Sequence, residues 1–146
     1  MESRITKIRS VKNPRVNIEI INGHFATSHS HVNYYIDMTS MKCRHLRAKE
    51  TAAEMADAYV SVPVDAIICL DGTEIIGAFL ARAIANAGIN GINRDHSIAV
   101  ITPEINASNQ MLLRDNVQPM VTGKNVILLE DSITTGKTIN RAIECV

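Results

Sequence analysis

Three short apolar runs restrict this chain more than any other feature. VDAIICL (Val64–Leu70), SIAVIT (Ser97–Thr102) and NVILLE (Asn125–Glu130) each have strand length. A half-exposed strand alternates apolar and polar residues, so a continuous apolar run such as VDAIICL implies a strand covered on both faces. Between the first two runs lies IIGAFLARAIANAG, a mostly apolar helix pattern that Gly88 stops. From Thr135 a further helix is expected, with Ile139, Ala142 and Ile143 on its inner face. Strand–helix–strand order with apolar strands gives an α/β fold, a parallel sheet wrapped by helices.

The residues upstream read differently. VNIEII (Val16–Ile21) and NYYIDMT (Asn33–Thr39) are β-like runs flanking a polar turn, ATSHSH. A helix-period segment follows from about Cys43 to Val60, with Leu46, Ala53, Met55, Ala56 and Tyr59 available for one apolar face, and Pro63 ends it. No repeat or linker divides the 146 residues, so one domain is expected: an N-terminal segment, 1–40, and an α/β core, 41–146. The chain stops about two turns into its last helix. Parallel domains normally return to the sheet, so further sequence, and a missing part of the core, is expected after Val146.

Composition narrows the function classes. Lys plus Arg equals Asp plus Glu at 15 each, which gives no reason to expect a nucleic-acid binder or a membrane-surface protein. Trp is absent and aromatics are 3%, too few for base-stacking platforms. No apolar segment of about 18 residues and no signal-peptide pattern near Met1 occurs, so a cytoplasmic protein is expected. Cys43, Cys69 and Cys145 are widely spaced, which argues against disulfides and zinc and suits a reducing compartment. His24, His29 and His31 lack a clustered Cys or carboxylate partner and read as solvated loop residues.

The chemistry concentrates in VILLEDSITTGKT, Val126 to Thr138. DSITTGKT comes within one residue of the P-loop pattern G-x-x-x-x-G-K-[ST]. The first glycine of that pattern bends the backbone around phosphates, and here the position is Asp131, whose charge has the wrong sign for a phosphate cradle. A second reading takes the residues in order. A buried strand ends in Glu130 and Asp131 at the carboxyl edge of the sheet, where α/β proteins bind ligands. Carboxylates accept hydrogen bonds from vicinal sugar hydroxyls. Thr134, Thr135 and Gly136 then offer hydroxyls and backbone N–H groups at a helix N-terminus, an anion site for one terminal phosphate. Together they describe a ribose 5-phosphate site.

This stretch resembles the phosphoribosyl-pyrophosphate signature of type I phosphoribosyltransferases: apolar strand, two acids, then a T-T-G loop. The resemblance covers about a dozen residues here and extends to other segments. CLDGTEIIGAFLA (Cys69–Ala81) matches the family's pyrophosphate loop, which implies that Asp71, Gly72 and Thr73 form the pyrophosphate side. GHFATSHSHVNYYID is similar to the hood of orotate phosphoribosyltransferases through Phe25 and Tyr35-Ile36-Asp37, with His29-Ser30 where those enzymes carry Ser-Gly. Residues 102–123 stand where the family has a mobile catalytic loop. They lack its lysine-rich sequence and carry Glu104, Asn109, Gln110, Arg114 and Asp115 instead.

The resemblance implies transfer of a 5-phosphoribosyl group from phosphoribosyl pyrophosphate to a nucleobase, orotate first. Glu130 and Asp131 would hold the ribose, and Thr134, Thr135, Gly136, Lys137 and Thr138 the 5-phosphate. Arg114 would meet the departing pyrophosphate, and Phe25 and Tyr35 would sit on the base side. It also implies magnesium carried by the substrate, near Asp131, and a homodimer. A purine-base enzyme, a non-catalytic phosphoribosyl-pyrophosphate-binding regulator and a P-loop ATPase or kinase stand as alternatives. Lys42, Arg44, Arg47 and Lys49 read as a solvated helix face.

Overall fold

In the computed structural model, which describes residues 4–26, 30–87 and 91–146, the three apolar runs pair as one parallel sheet. Its strands are β4 (Ala66–Cys69), β5 (Ala99–Ile101) and β8 (Val126–Leu129), in the order β5-β4-β8. All four residues of the central β4 are buried. Alternate side chains serve two separate cores. Ile67 and Cys69 join a cluster with Ala48, Ala52, Ala56, Ile76, Leu80 and Ile84. Ala66, Ile68 and Leu70 join the other, with Met111, Val121 and Ala142. A strand loaded on both faces needs apolar residues at every position, which accounts for the unbroken run.

The helices divide between these cores. α1 (Thr39–Cys43), α2 (His45–Ala56) and α3 (Glu74–Ala87) contribute to the first, and α4 (Lys137–Glu144) packs Ala142 and Ile139 into the second. The helix expected over Cys43–Val60 is therefore shorter, with extended Arg44 separating α1 from α2 and a 3₁₀ turn at Asp57–Tyr59. On its inner face Ala56 is buried and Met55 and Tyr59 pack on the core, as expected, but two of the expected residues do not. Ala48, Ala52 and Ala56 are buried at i, i+4 and i+8, whereas Leu46 is 63% exposed and Ala53 faces out. Small side chains let α2 approach α3 closely, so the packed stripe is the alanine one. Gly77 does the same for α3 on β4: a Cβ there would lie 2.3 Å from Cys69 Sγ. Burial pushes the Cys69 thiol up to about 11, leaving it an inert core group.

The N-terminal segment forms a three-stranded antiparallel sheet, β1 (Ile5–Arg9), β2 (Asn17–Ala26) and β3 (His31–Asp37). β1 is exposed along its length and gave no sequence signal. This sheet is joined to α2 by polar contacts: Arg47 donates to Asn17 Oδ1 at 2.8 Å, Asn13 donates to Glu50 at 2.8 Å, and Ser10 bonds Glu54. The stretch expected as a loop over 102–123 is packed. It holds a hairpin, β6 (Glu104–Ile105) with β7 (Met111–Leu112), and both Met111 and Val121 are buried in the second core. Gly88, expected to stop α3, and His29 lie outside the described residues.

At the amino ends of the strands, Asp65 ties β4 to its neighbours. Its Oδ2 accepts the Asn125 backbone N–H at 2.8 Å and Nδ2 at 3.1 Å, and His96 lies 3.1 Å from Oδ1. Asn93, buried and in a left-handed conformation (φ 62), accepts from the Val64 N–H at 2.9 Å and donates to the Val62 carbonyl at 2.8 Å. Among the described residues, no helix is long and apolar enough to cross a membrane.

Candidate functional site

Chain order and strand order disagree at one place in the parallel sheet. The chain leaves β4 through α3 to β5 on one side, then crosses to β8 on the other. The loops after β4 and β8 consequently diverge and leave a crevice at the carboxyl ends of two adjacent strands. Such switch points are where open α/β sheets bind ligands. The acids picked out from sequence stand there: Asp71 follows β4, and Glu130 and Asp131 follow β8.

The first loop is a tight turn. Asp71 (φ 51) and Gly72 (φ 79) are both left-handed, a conformation that glycine takes freely and aspartate tolerates. Thr73, assigned from sequence to the pyrophosphate side, has a structural task. It is buried, its hydroxyl lies 2.8 Å from the Leu70 carbonyl and 3.1 Å from that of Leu129, and its N–H donates to Leu70. Its hydroxyl and its amide are thus both committed within the protein, so neither is offered to a ligand. The amides of 74–76 in the first turn of α3 have no intrahelical acceptor and remain the anion-facing donors of this loop.

The second loop brings two acids into unlike surroundings. Burial pushes the Glu130 carboxyl above its ordinary value, with the neighbouring Asp71 adding to the rise and Thr138 opposing it. Glu130 Oε2 is buried and accepts no hydrogen bond. Asp131 is paired instead: Lys42 Nζ lies 2.6 Å from Oδ2 and also donates to the Asp71 carbonyl at 2.9 Å. The Lys42 side chain is only 19% exposed, and the bond to Asp131 holds its pKa above the usual lysine value. Lys42 is therefore part of the site, a correction to its reading as a solvated helix residue.

Downstream, Thr134 and Thr135 are exposed and Gly136 is left-handed (φ 72). α4 begins at Lys137, two residues later than expected, because Gly136 occupies the cap position. No side chain caps that N-terminus. Its first-turn amides and the exposed hydroxyls of Thr134 and Thr135 leave an end of the kind that suits an anion, while the Thr138 side chain hydrogen-bonds Glu130. Lys137 is exposed. Asp131 is not among the residues with positive φ, so the backbone bend that a P-loop requires at that position is missing.

A cleft of about 440 Å³ joins this end of the sheet to the N-terminal strands. Tyr34, Tyr35, Lys42, Asp131 and Ser132 line it. Phe25 stands behind Tyr35, with ring centroids 5.8 Å apart, and Gly23 leaves room for the Phe25 ring, which a Cβ there would approach to 3.1 Å. A larger hollow, about 500 Å³, lies around Asp65, His96 and Lys124 at the opposite end of the strands, and none of the sequence-assigned residues lines it.

The structure thus gathers Asp71, Glu130, Asp131 and Thr138 at the switch point and sets Tyr35 across the cleft from Asp131. Arg114 is not among the cleft-lining residues. Its guanidinium is held by Glu104, 2.5 Å from Nε, across the β6–β7 hairpin. Among the described residues, no three His, Cys, Asp or Glu side chains converge to hold a metal. The hard oxygens of Glu130 and Asp131, including the unbonded Oε2, suit magnesium that keeps most of its shell from water and substrate phosphate oxygens. No protein-family model matches the chain, and no curated protein shows significant sequence similarity to it.

Proposed function

We propose that the chain binds phosphoribosyl pyrophosphate and transfers its 5-phosphoribosyl group to a nucleobase nitrogen, orotate being the favoured acceptor, with release of pyrophosphate. One observation carries this reading: a switch-point crevice with Glu130 and Asp131 between two helix N-termini, those of α3 and α4. A ligand matching it has a hydroxyl-rich centre and anionic groups at both ends. Glu130 and Asp131 accept the ribose hydroxyls. The first turn of α4 with Thr134, Thr135, Gly136, Lys137 and Thr138 takes the 5-phosphate. The Asp71-Gly72 turn and the amides that follow take the pyrophosphate.

Breaking the C1–oxygen bond builds positive charge on the sugar ring. The Asp131 carboxylate, which holds the ribose in this reading, stabilises that charge. Tyr35, backed by Phe25, offers a ring face to a planar base and holds it against the sugar. Magnesium, when bound with the donor, neutralises charge on the pyrophosphate oxygens. A second reading, a regulator that binds the donor without chemistry, is favoured by the Arg114–Glu104 pair, since it engages the one cation of residues 102–123.

The test is pyrophosphate release from phosphoribosyl pyrophosphate with orotate, uracil, hypoxanthine or adenine, beside calorimetric binding of the donor. Release that depends on orotate is expected. Donor binding without release on any base selects the regulator. Tight ATP–magnesium binding abolished by Lys137→Ala, with no response to the donor, overturns both in favour of a P-loop protein.

A further inference from the structure

Lys42 stands where three chain segments meet: the helix that follows the N-terminal sheet, the turn after β4 and the loop after β8. Its ammonium has three donors. One goes to Asp131 Oδ2 at 2.6 Å and one to the Asp71 carbonyl at 2.9 Å, which leaves one for a ligand. It lies beside the left-handed Gly72, where an added Cβ would come within 4.0 Å of Nζ. Among the described residues lining the cleft, it is the one cation.

Charge makes this position consequential. The acids Asp71, Glu130 and Asp131 repel a polyanion, yet the ligand proposed above carries a diphosphate. Residues 102–123 contain no lysine, and their arginine is held by Glu104. We propose that Lys42 is a substrate-contacting residue whose ammonium passes from Asp131 to the diphosphate of phosphoribosyl pyrophosphate as the donor binds. This inference rests on the donor assignment above. The exchange does two things at once. It brings positive charge to the leaving group, and it frees Asp131 Oδ2 to accept a ribose hydroxyl. In the unliganded protein Lys42 takes the place of the sugar at Asp131 and keeps the two loops together until the donor arrives.

The test is calorimetric binding of phosphoribosyl pyrophosphate, inorganic pyrophosphate and ribose 5-phosphate to the wild type, Lys42→Met, Lys42→Gln and Lys42→Arg. Lys42→Gln retains an N–H donor for the Asp71 carbonyl, so it serves if Lys42→Met does not fold. Loss of one charge-assisted contact predicts a drop of ~10- to 100-fold for the donor and pyrophosphate in the neutral variants. Ribose 5-phosphate affinity stays the same or rises, because Asp131 is released, and Lys42→Arg recovers most of the loss. Equal weakening of pyrophosphate and ribose 5-phosphate reduces Lys42 to a structural tie and overturns the proposal. Unchanged donor affinity in the neutral variants overturns it too, while leaving the donor assignment standing. A wild type that binds none of the three ligands removes both.

Discussion

At the amino ends of β4, β5 and β8, the polar groups that fix the strands find protein partners: Asp65 takes both nitrogens of Asn125 and faces His96, and Asn93 serves one N–H and one carbonyl. At the carboxyl ends of the same strands, groups are left over. Glu130 keeps a buried oxygen without a donor, and α4 starts uncapped. The sheet and its covering helices are common to both ends, so the contrast reflects side chains and loops rather than fold. One end spends its polar groups on holding the strands together. The other leaves a buried carboxylate oxygen and a helix N-terminus without protein partners, as the proposed function requires.

Four substitutions break or sharpen that contrast. The largest effect is expected at Asp131. Asp131→Asn removes the charge that receives the ribose and lowers phosphoribosyl pyrophosphate affinity by about 100-fold in calorimetry, with a melting temperature close to wild type. A large fall in stability with binding intact would make the carboxyl end structural as well. Asn93→Ala at the amino end should do the reverse. It strands a buried N–H and carbonyl, costs about 2 kcal/mol in urea unfolding, and leaves ligand binding alone.

Asp65→Ala is expected to cost about 1–2 kcal/mol at neutral pH. Hydrogen bonds from Asn125 hold the Asp65 carboxyl below its ordinary value of 3.8. Its stabilising contribution is thus complete above 3.8 and is lost as pH falls through the lower folded-state value. The difference between wild type and variant should therefore shrink on acidification, as unfolding curves at several pH values will show. Glu130→Gln should have the smallest effect and the opposite sign. The folded protein holds this proton above the ordinary 4.5, so rising pH ionises the unfolded chain first and erodes native stability from that point upward. Gln does not titrate, so a gain of about 0.5–1 kcal/mol should appear at neutral pH and vanish below 4.5. Donor affinity should fall in the same variant. In the wild type it should weaken on acidification, beginning above 4.5, as Glu130 takes up its proton.

Local patterns made the core legible. β4 is readable because a strand covered on both faces has no polar position, and the acids after β8 are readable because they interrupt such a run. What escaped the sequence was set by pairing across distance. Lys42 meets Asp131 across 89 residues, and nothing near Lys42 distinguishes it from Arg44 or Lys49. On the inner face of α2, Ala48 and Ala52 escaped because alanine is a weak apolar signal and the preference arises only from the nearness of α3. β1 escaped because it is short and exposed, with charged Lys7 and Arg9 breaking its apolar pattern. Residues 102–123 looked like a loop because their two anchors, Met111 and Val121, are ten residues apart and follow no period.

The Thr73 hydroxyl has a single proton and two carbonyl oxygens within reach, those of Leu70 and Leu129. Leu70 directly follows β4 and Leu129 ends β8, so neither of the loops that follow can drift without disturbing the other. The gap between the N-termini of α3 and α4 is in this way set by the core, like the fixed jaws of a caliper. For the donor proposed above, that fixed gap sets the spacing its two anionic ends must match.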